Sequence, residues 1–158
     1  MFLKKDLDAL RGKVTELEGK VRKAGRDMAG SIADDPNVWH DNPAYDEAQR
    51  EQGMWNGELE RYRKMLRESQ EVPVEAAPDT VGIGRTAIVM NMTESGKLYK
   101  YLIGSFMVLV PTEGLASDVQ EVSYGSPIGR ILMGAKGGDF RKGVVTGKEV
   151  TFFIARAE

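Results

Sequence analysis
The chain of 158 residues contains no cysteine. That excludes disulfides, thiolate metal sites and a cysteine nucleophile, and makes an intracellular protein the simpler expectation. A single histidine, His40, rules out a multi-histidine metal site within one chain. No run approaches the ~20 apolar residues that a bilayer span requires, so no membrane contact is expected. The opening MFLKKDLDAL carries charge too early for a signal peptide, which points to the cytoplasm. Neither sign of charge dominates. With 24 acidic and 22 basic side chains the net charge is −2, so nothing pulls the whole molecule toward nucleic acid or membrane and only a local patch could do so. Proline occurs six times, and Pro36, Pro43, Pro73 and Pro78 mark two breaks in the chain.

Before the first break, from about Phe2 to Ile32, apolar residues step by four and three: Leu3, Leu7, Leu10, Val14, Leu17, Val21, Ala24 and Met28. This is a coiled-coil seam, one narrow stripe with charge filling the gaps. Gly12, Gly19 and Gly25 each weaken helix propensity by about 1 kcal/mol relative to Ala, so this helix needs a partner. The partner runs from about Ala44 to Glu71, with Tyr45, Ala48, Gln52, Trp55, Leu59, Tyr62 and Leu66 at the same spacing. Asn42 suits its N-cap, Pro43 its first position, and Asp46 and Glu47 the positive end of its dipole. Between the two seams lies ADDPNVWHDNPAY, Ala33–Tyr45, where proline forces a reversal. The two helices therefore predict an antiparallel hairpin over 1–72 with an acidic tip.

A linker follows over 73–80, and then the period changes. Thr86–Met92, Lys97–Gly104, Met107–Pro111, Val119–Tyr124, Phe140–Val145 and Glu149–Ala157 are short, rich in Val, Ile, Phe and Tyr, and bounded by turn residues, which predicts strands. Glu94-Ser95-Gly96 and Thr146-Gly147-Lys148 predict hairpin turns. A helix is expected over Ser126–Ala135, capped by Ser126, opened by Pro127 and stopped by Gly137 or Gly138. The fold class is α+β: an antiparallel coiled-coil hairpin, then over 81–158 a mostly antiparallel β-sheet domain with one helix.

The stretch VSYGSPIGRILMGA, Val122–Ala135, followed by KGGD, Lys136–Asp139, resembles the SPIGRALLGK-x-x-GD pattern of the bacterial GreA/GreB transcript-cleavage factors. DNPAYDEAQREQ, Asp41–Gln52, with Gly53, is similar to their ENAEYHAAKEEQG, matching at Asn42, Tyr45, Ala48, Glu51, Gln52 and Gly53. The order of segments agrees along nearly the whole chain. The resemblance implies that the β domain is FKBP-like and docks on RNA polymerase at the rim of its secondary channel. It also implies that the hairpin enters that channel toward the RNA 3′ end. Its tip acids there help hold a Mg²⁺ shared with the polymerase active site, whose own nuclease activity cleaves backtracked RNA. The factor itself is then no enzyme, binds no cofactor tightly and is expected as a monomer. Prolyl isomerase activity is not expected, because the likeness to FKBP is one of fold only.

Carried over residue by residue, the tip assigns Asp41 to the family's Glu position, as the catalytic and Mg²⁺-directed carboxylate. Val38 stands where the family has its first tip acid, and His40 replaces a Ser. Asp34 and Asp35 are additional candidates for the missing acid; their plain reading is an exposed acidic turn. For Trp39, stacking on a base and packing against a helix end both stay open. Tyr124, Gly125, Ser126, Pro127 and Ile128 match the polymerase-docking loop, while Ser126 and Pro127 also read as helix-capping residues. Lys20, Arg22, Lys23 and Arg26, with Arg61, Arg63, Lys64 and Arg67, form basic clusters that the family associates with displaced RNA. Balanced by Glu16, Glu18, Glu58 and Glu60, they equally read as solvated helix faces. The altered tip keeps a second function open: a Gre-fold channel regulator that supports no cleavage and competes with factors that do.

Overall fold
The structure, a computed structural model, describes residues 1–34, 42–72 and 79–158, and of 32–34 the backbone alone. It separates into two compact units, one of Asp8–Ser69 and one of Met1–Leu7 with Gln70–Glu158. Pro73–Pro78, most of the expected linker, lies outside the described residues.

The helical unit is built from α1 (Lys4–Asp34) and α2 (Pro43–Arg67). The predicted seam residues of both helices are buried or half-buried in turn, led by Leu10, Leu17, Ala24, Ala48, Leu59 and Tyr62, while the residues between them are mostly exposed. Cross-helix pairs establish the direction. Glu18 meets Arg63, Lys20 sits over Trp55, Gly25 abuts Gln52 and Ser31 meets Asn42, so α2 numbers fall as α1 numbers rise. The helices are antiparallel, as the seams predicted.

The second unit holds β1 (Thr86–Asn91), β2 (Lys97–Gly104), β3 (Val119–Ser123), α3 (Pro127–Leu132), β4 (Phe140–Val145) and β5 (Lys148–Ala157). The sheet order is β3-β2-β1-β5-β4. β1 pairs antiparallel with β2 and β5, and β4 with β5. Among these strands β2 and β3 pair in parallel, which a crossover over residues 105–118 makes feasible. Val89, Ile103, Phe152 and Ile154 of the sheet and Leu132 of α3 share one core with Val81 and Ala135.

Three expectations are corrected. Met107–Pro111 is not a strand. Its backbone is taken by side chains instead: Asp6 Oδ1 accepts from the Leu109 and Val110 N–H groups at 2.8 and 3.1 Å, and the Val110 carbonyl accepts from Lys5 Nζ at 2.7 Å. α2 stops at Arg67 rather than Glu71 because Glu71 bridges Phe2; Phe2 N–H donates to Gln70 O at 2.8 Å and Val72 N–H to Phe2 O at 2.9 Å. α3 ends at Leu132, short of Ala135 and of the expected stop at Gly137 or Gly138. Gly134 adopts φ +72°, its N–H donates to Val81 O at 2.9 Å, and Val81 N–H returns a bond to Ala135 O at 2.8 Å.

Asp6 is fully buried. Besides the two N–H groups, its Oδ2 accepts from Ser105 Oγ at 2.6 Å, and Ser105 Oγ in turn accepts from Leu3 N–H at 2.8 Å. Asp6→Ala leaves three donors without acceptors and is expected to cost about 1–3 kcal/mol in urea denaturation. Beside it, Glu121 accepts from Lys5 Nζ at 2.8 Å, Thr112 N–H at 2.8 Å and Thr112 Oγ1 at 3.0 Å. Partial burial alone would raise its pKa, but these bonds and the Lys5 charge outweigh it, and the carboxyl lies below the usual range. A depressed native pKa stabilises above the unfolded value of about 4.3 and loses that contribution as pH falls through the native one. Urea denaturation between pH 6 and 3 should therefore show a flatter acid limb for Glu121→Gln than for the parent.

Candidate functional site
The strand-to-helix corner Ser123–Gly129 is assembled by local hydrogen bonds and one bond to Phe106. Ser126 is the N-cap of α3: its Oγ accepts from Gly129 N–H at 3.0 Å and donates to Ser123 O at 2.7 Å. Pro127 occupies the first helical position, where a missing N–H costs nothing. Ser123 Oγ donates to Phe106 O at 2.7 Å and accepts from Gly125 N–H at 3.0 Å. Gly129 is required by space. A Cβ there would lie 2.1 Å from Ser123 O and 2.7 Å from Tyr124 Cα.

Around the corner, Tyr124 and Ile128 pack against the core as half-buried residues, and Pro127 and Arg130 are exposed. Phe106, 49% exposed, stands beside them. Its ring centroid is 6.0 Å from that of Tyr124, and a Cβ on Gly125 would touch it at 3.2 Å. The structure thus brings all five predicted docking residues to one corner and adds Phe106 and Ser123, which sequence reasoning missed. The C-terminal KGGD turn is also closed locally. Asp139 lies below the usual carboxylate range, held there first by the Lys136 N–H at 3.0 Å and, against the opposing effect of burial, by the Arg141 guanidinium at 3.2 Å.

At the other candidate site, Asp35, Val38, Trp39, His40 and Asp41 lie outside the described residues, and Asp34 is described only as the last backbone position of α1. The approach to the tip is described. Asn42 Oδ1 accepts from the Ala44 and Tyr45 N–H groups at 3.1 and 3.2 Å, capping α2, while its Nδ2 donates to Ser31 O of α1 at 2.9 Å. One amide side chain therefore joins the two helices where the tip segment begins and ends. Sequence reasoning found the cap and missed the bond to Ser31, which no local pattern signals.

The basic clusters divide. Lys20 is paired with Glu16 and lies 4.3 Å over the Trp55 ring, Arg63 is held by Glu18 and Glu60, and Arg61 lies 5.3 Å over Tyr62. Arg22, Lys23 and Arg26 are exposed and have no ion-pair partner among the described residues. The described residues contain no group of three or more His, Cys, Asp or Glu side chains able to hold a metal, and no helix long and apolar enough to cross a membrane.

No family model matches the chain. Curated relatives do. The chain is 30% identical over 115 residues to transcription elongation factor GreA of Acetivibrio thermocellus, covering 72% of this chain and 68% of that protein. It is 32% identical over 100 residues to GreA of Streptococcus gordonii, where the match spans 63% of this chain and 58% of that protein. Against GreA of Thermotoga maritima the identity is 26% over 141 residues, with 89% and 80% covered. Among solved structures, GreA factor homolog 1 of Thermus thermophilus aligns over 99% of this chain and 97% of its own at 15% identity and a TM-score of 0.42. An α+β protein with paired N-terminal helices and the SPIGR corner is thus joined to its relatives by sequence. The chain belongs to the GreA/GreB family of transcription elongation factors.

The corner's construction separates two substitutions. Ser126→Ala removes a cap and is expected to cost about 1 kcal/mol in thermal or urea unfolding. Pro127→Ala changes an exposed side chain and should leave unfolding within about 0.5 kcal/mol of the parent. Gly129→Ala must displace backbone and should cost more than either, about 1–3 kcal/mol.

Proposed function
We propose that the chain is a Gre-type elongation factor that binds RNA polymerase at the secondary channel and stimulates cleavage of backtracked RNA without being an enzyme itself. The observation that carries this reading is the similarity to proteins named transcription elongation factor GreA, at 30% identity over 115 residues. In this reading the Tyr124–Ile128 corner docks on the polymerase. Its support is a locked backbone with Pro127 left exposed and Phe106 beside it, the form a preorganised docking point takes.

The tip acts at the RNA 3′ end through Asp41, with Asp34 and Asp35 as additional candidates. A carboxylate oxygen is the donor Mg²⁺ takes, and one or two suffice because the ion keeps most of its waters. An ion shared with the polymerase would supply charge stabilisation for the attacking and leaving oxygens of the phosphodiester. What this chain contributes is position: Asn42 anchors both helices beside the acid. The protein acts in this reading as a cytoplasmic monomer.

A specific observation favours a second reading: Val38 stands at the family's first acidic tip position. With one acid missing, the chain would occupy the channel and compete with cleavage factors. Purified polymerase and backtracked complexes decide between them. Pro127→Ala should weaken polymerase binding about tenfold, roughly 1.4 kcal/mol, while Asp41→Ala leaves it intact; the reverse pattern would mean the roles are misassigned. In the cleavage reading, Asp41→Ala abolishes transcript cleavage, and Val38→Asp raises it and lowers the Mg²⁺ concentration required. If Asp35 supplies the second acid, Asp35→Ala harms cleavage as much as Asp41→Ala. Suppression of cleavage by a second, active Gre factor would establish the competitor.

A further inference from the structure
Among the described residues β4 is an edge strand, with β5 on one side and no strand on the other. The two join through a two-residue turn, Thr146-Gly147, whose φ values of +49° and +80° suit a type I′ hairpin. In such a hairpin the residues flanking the turn exchange both backbone bonds, and the pattern then alternates. With Val145 opposite Lys148, Gly143 opposite Val150 and Arg141 opposite Phe152, the bonded positions are Val145, Gly143 and Arg141. Phe140, Lys142 and Val144 therefore turn their N–H and C=O groups outward along the free edge.

The same three residues carry exposed side chains. Phe140 is 62% exposed and Val144 57%, and the Phe140 ring lies 5.0 Å from that of Phe153 on β5. The strand is held from behind, since a Cβ on Gly143 would lie 2.5 Å from Ile131 Cδ1 of α3. Sheet edges are normally blunted by charge, lysine above all, by proline, by a bulge or by a covering segment, and of these β4 carries Lys142, which guards it against a like-charged strand. β4 has no proline and an unbroken register with β5. At the opposite edge, β3 is mostly half-buried, and its Glu121 is engaged by Lys5 and Thr112.

Charge selects the occupant. β4 carries two cations and no acid. Arg141 is occupied by Asp139 at 3.2 Å, whereas Lys142, central on the free edge, has no carboxylate partner among the described residues. A second copy paired antiparallel about Lys142 would oppose like charges, which is destabilising. We propose that the free edge of β4 takes an extended acidic segment of a partner chain as an added strand, its carboxylates at Lys142 and its apolar side chains over Phe140 and Val144. Backbone bonds supply affinity in this mode, and alternate side chains supply selectivity.

The test uses the full chain, isotopically labelled, titrated with a capped six-residue peptide of alternating valine and glutamate. Its controls are the same peptide with lysine for glutamate and a version N-methylated at alternate residues. Saturable amide shifts confined to 140–145 and the facing part of β5 are expected, with both control peptides at least tenfold weaker. Lys142→Glu inverts the charge and should weaken binding at least tenfold. Lys142→Pro removes the outward N–H together with the ammonium while leaving the bonds to β5 in place, which an edge strand tolerates, and should weaken binding at least as much as Lys142→Glu with the rest of the spectrum unchanged. Shifts elsewhere, no saturable shift at β4, or equal binding by the lysine or N-methylated peptide would overturn the proposal. So would self-association of the unliganded chain through β4, which would make the occupant a second copy.

Discussion

The β-rich unit depends on one buried carboxylate. Asp6 has no solvent access and, ionised, can only accept, so burial is tolerable only where enough donors converge on it. Ser105 and the N–H groups of Leu109 and Val110 meet that requirement. The consequence is topological. A segment whose N–H groups are committed to a side chain cannot enter a ladder, so the chain after β2 runs as a strap and returns as β3 in parallel with it. The first residues are thereby built into a unit otherwise formed by the far end of the sequence, a join reinforced by the Phe2–Glu71 bridge.

The strap also connects this constraint to the SPIGR corner. Phe106 follows Ser105 directly; its carbonyl takes the Ser123 hydroxyl and its ring lies against Tyr124 and Gly125. From there the bonds pass through Ser123 to Ser126 and into α3. A corner fixed by so many short bonds presents Pro127 with little conformational freedom, which lowers the entropy lost on docking. The exposed edge of β4 lies on the same sheet but draws on a different resource, unpaired backbone rather than a locked loop.

The helical unit is ordered by a simpler rule. One seam per helix meets one partner, and the remaining surface is left to charge. Most of its ion pairs are exposed, and such pairs contribute little individually because water competes for both partners. Their arrangement still sorts the cations: Lys20 and Arg63 are committed to carboxylates, whereas Arg22, Lys23 and Arg26 along α1 have no ion-pair partner among the described residues. Asn42 ties the two helices of this unit together by satisfying backbone groups of both at once.

Local and periodic features were legible in the sequence. The heptad steps predicted two antiparallel helices because burial of a stripe needs only spacing. Asn42, Ser126 and Pro127 were readable as helix starts because a cap acts within three residues, and Lys97–Gly104 and Phe140–Val145 were readable as strands from their composition and the turn residues that bound them. The family resemblance rested on short motifs of the same local kind. What sequence could not supply were bonds between residues a hundred positions apart. Met107–Pro111 has strand composition, and only the arrival of Asp6 removes it from the sheet. Nothing in the spacing of Leu3, Leu7 and Leu10 separates the residues that join the β-rich unit from those that continue the hairpin. Phe106 and the second bond of Asn42 reach partners only 17 and 11 residues away, yet no capping or periodic pattern signals them either. Periodicity reports which face of an element is buried, whereas the partner of a buried polar group is decided only when the chain has folded back upon itself.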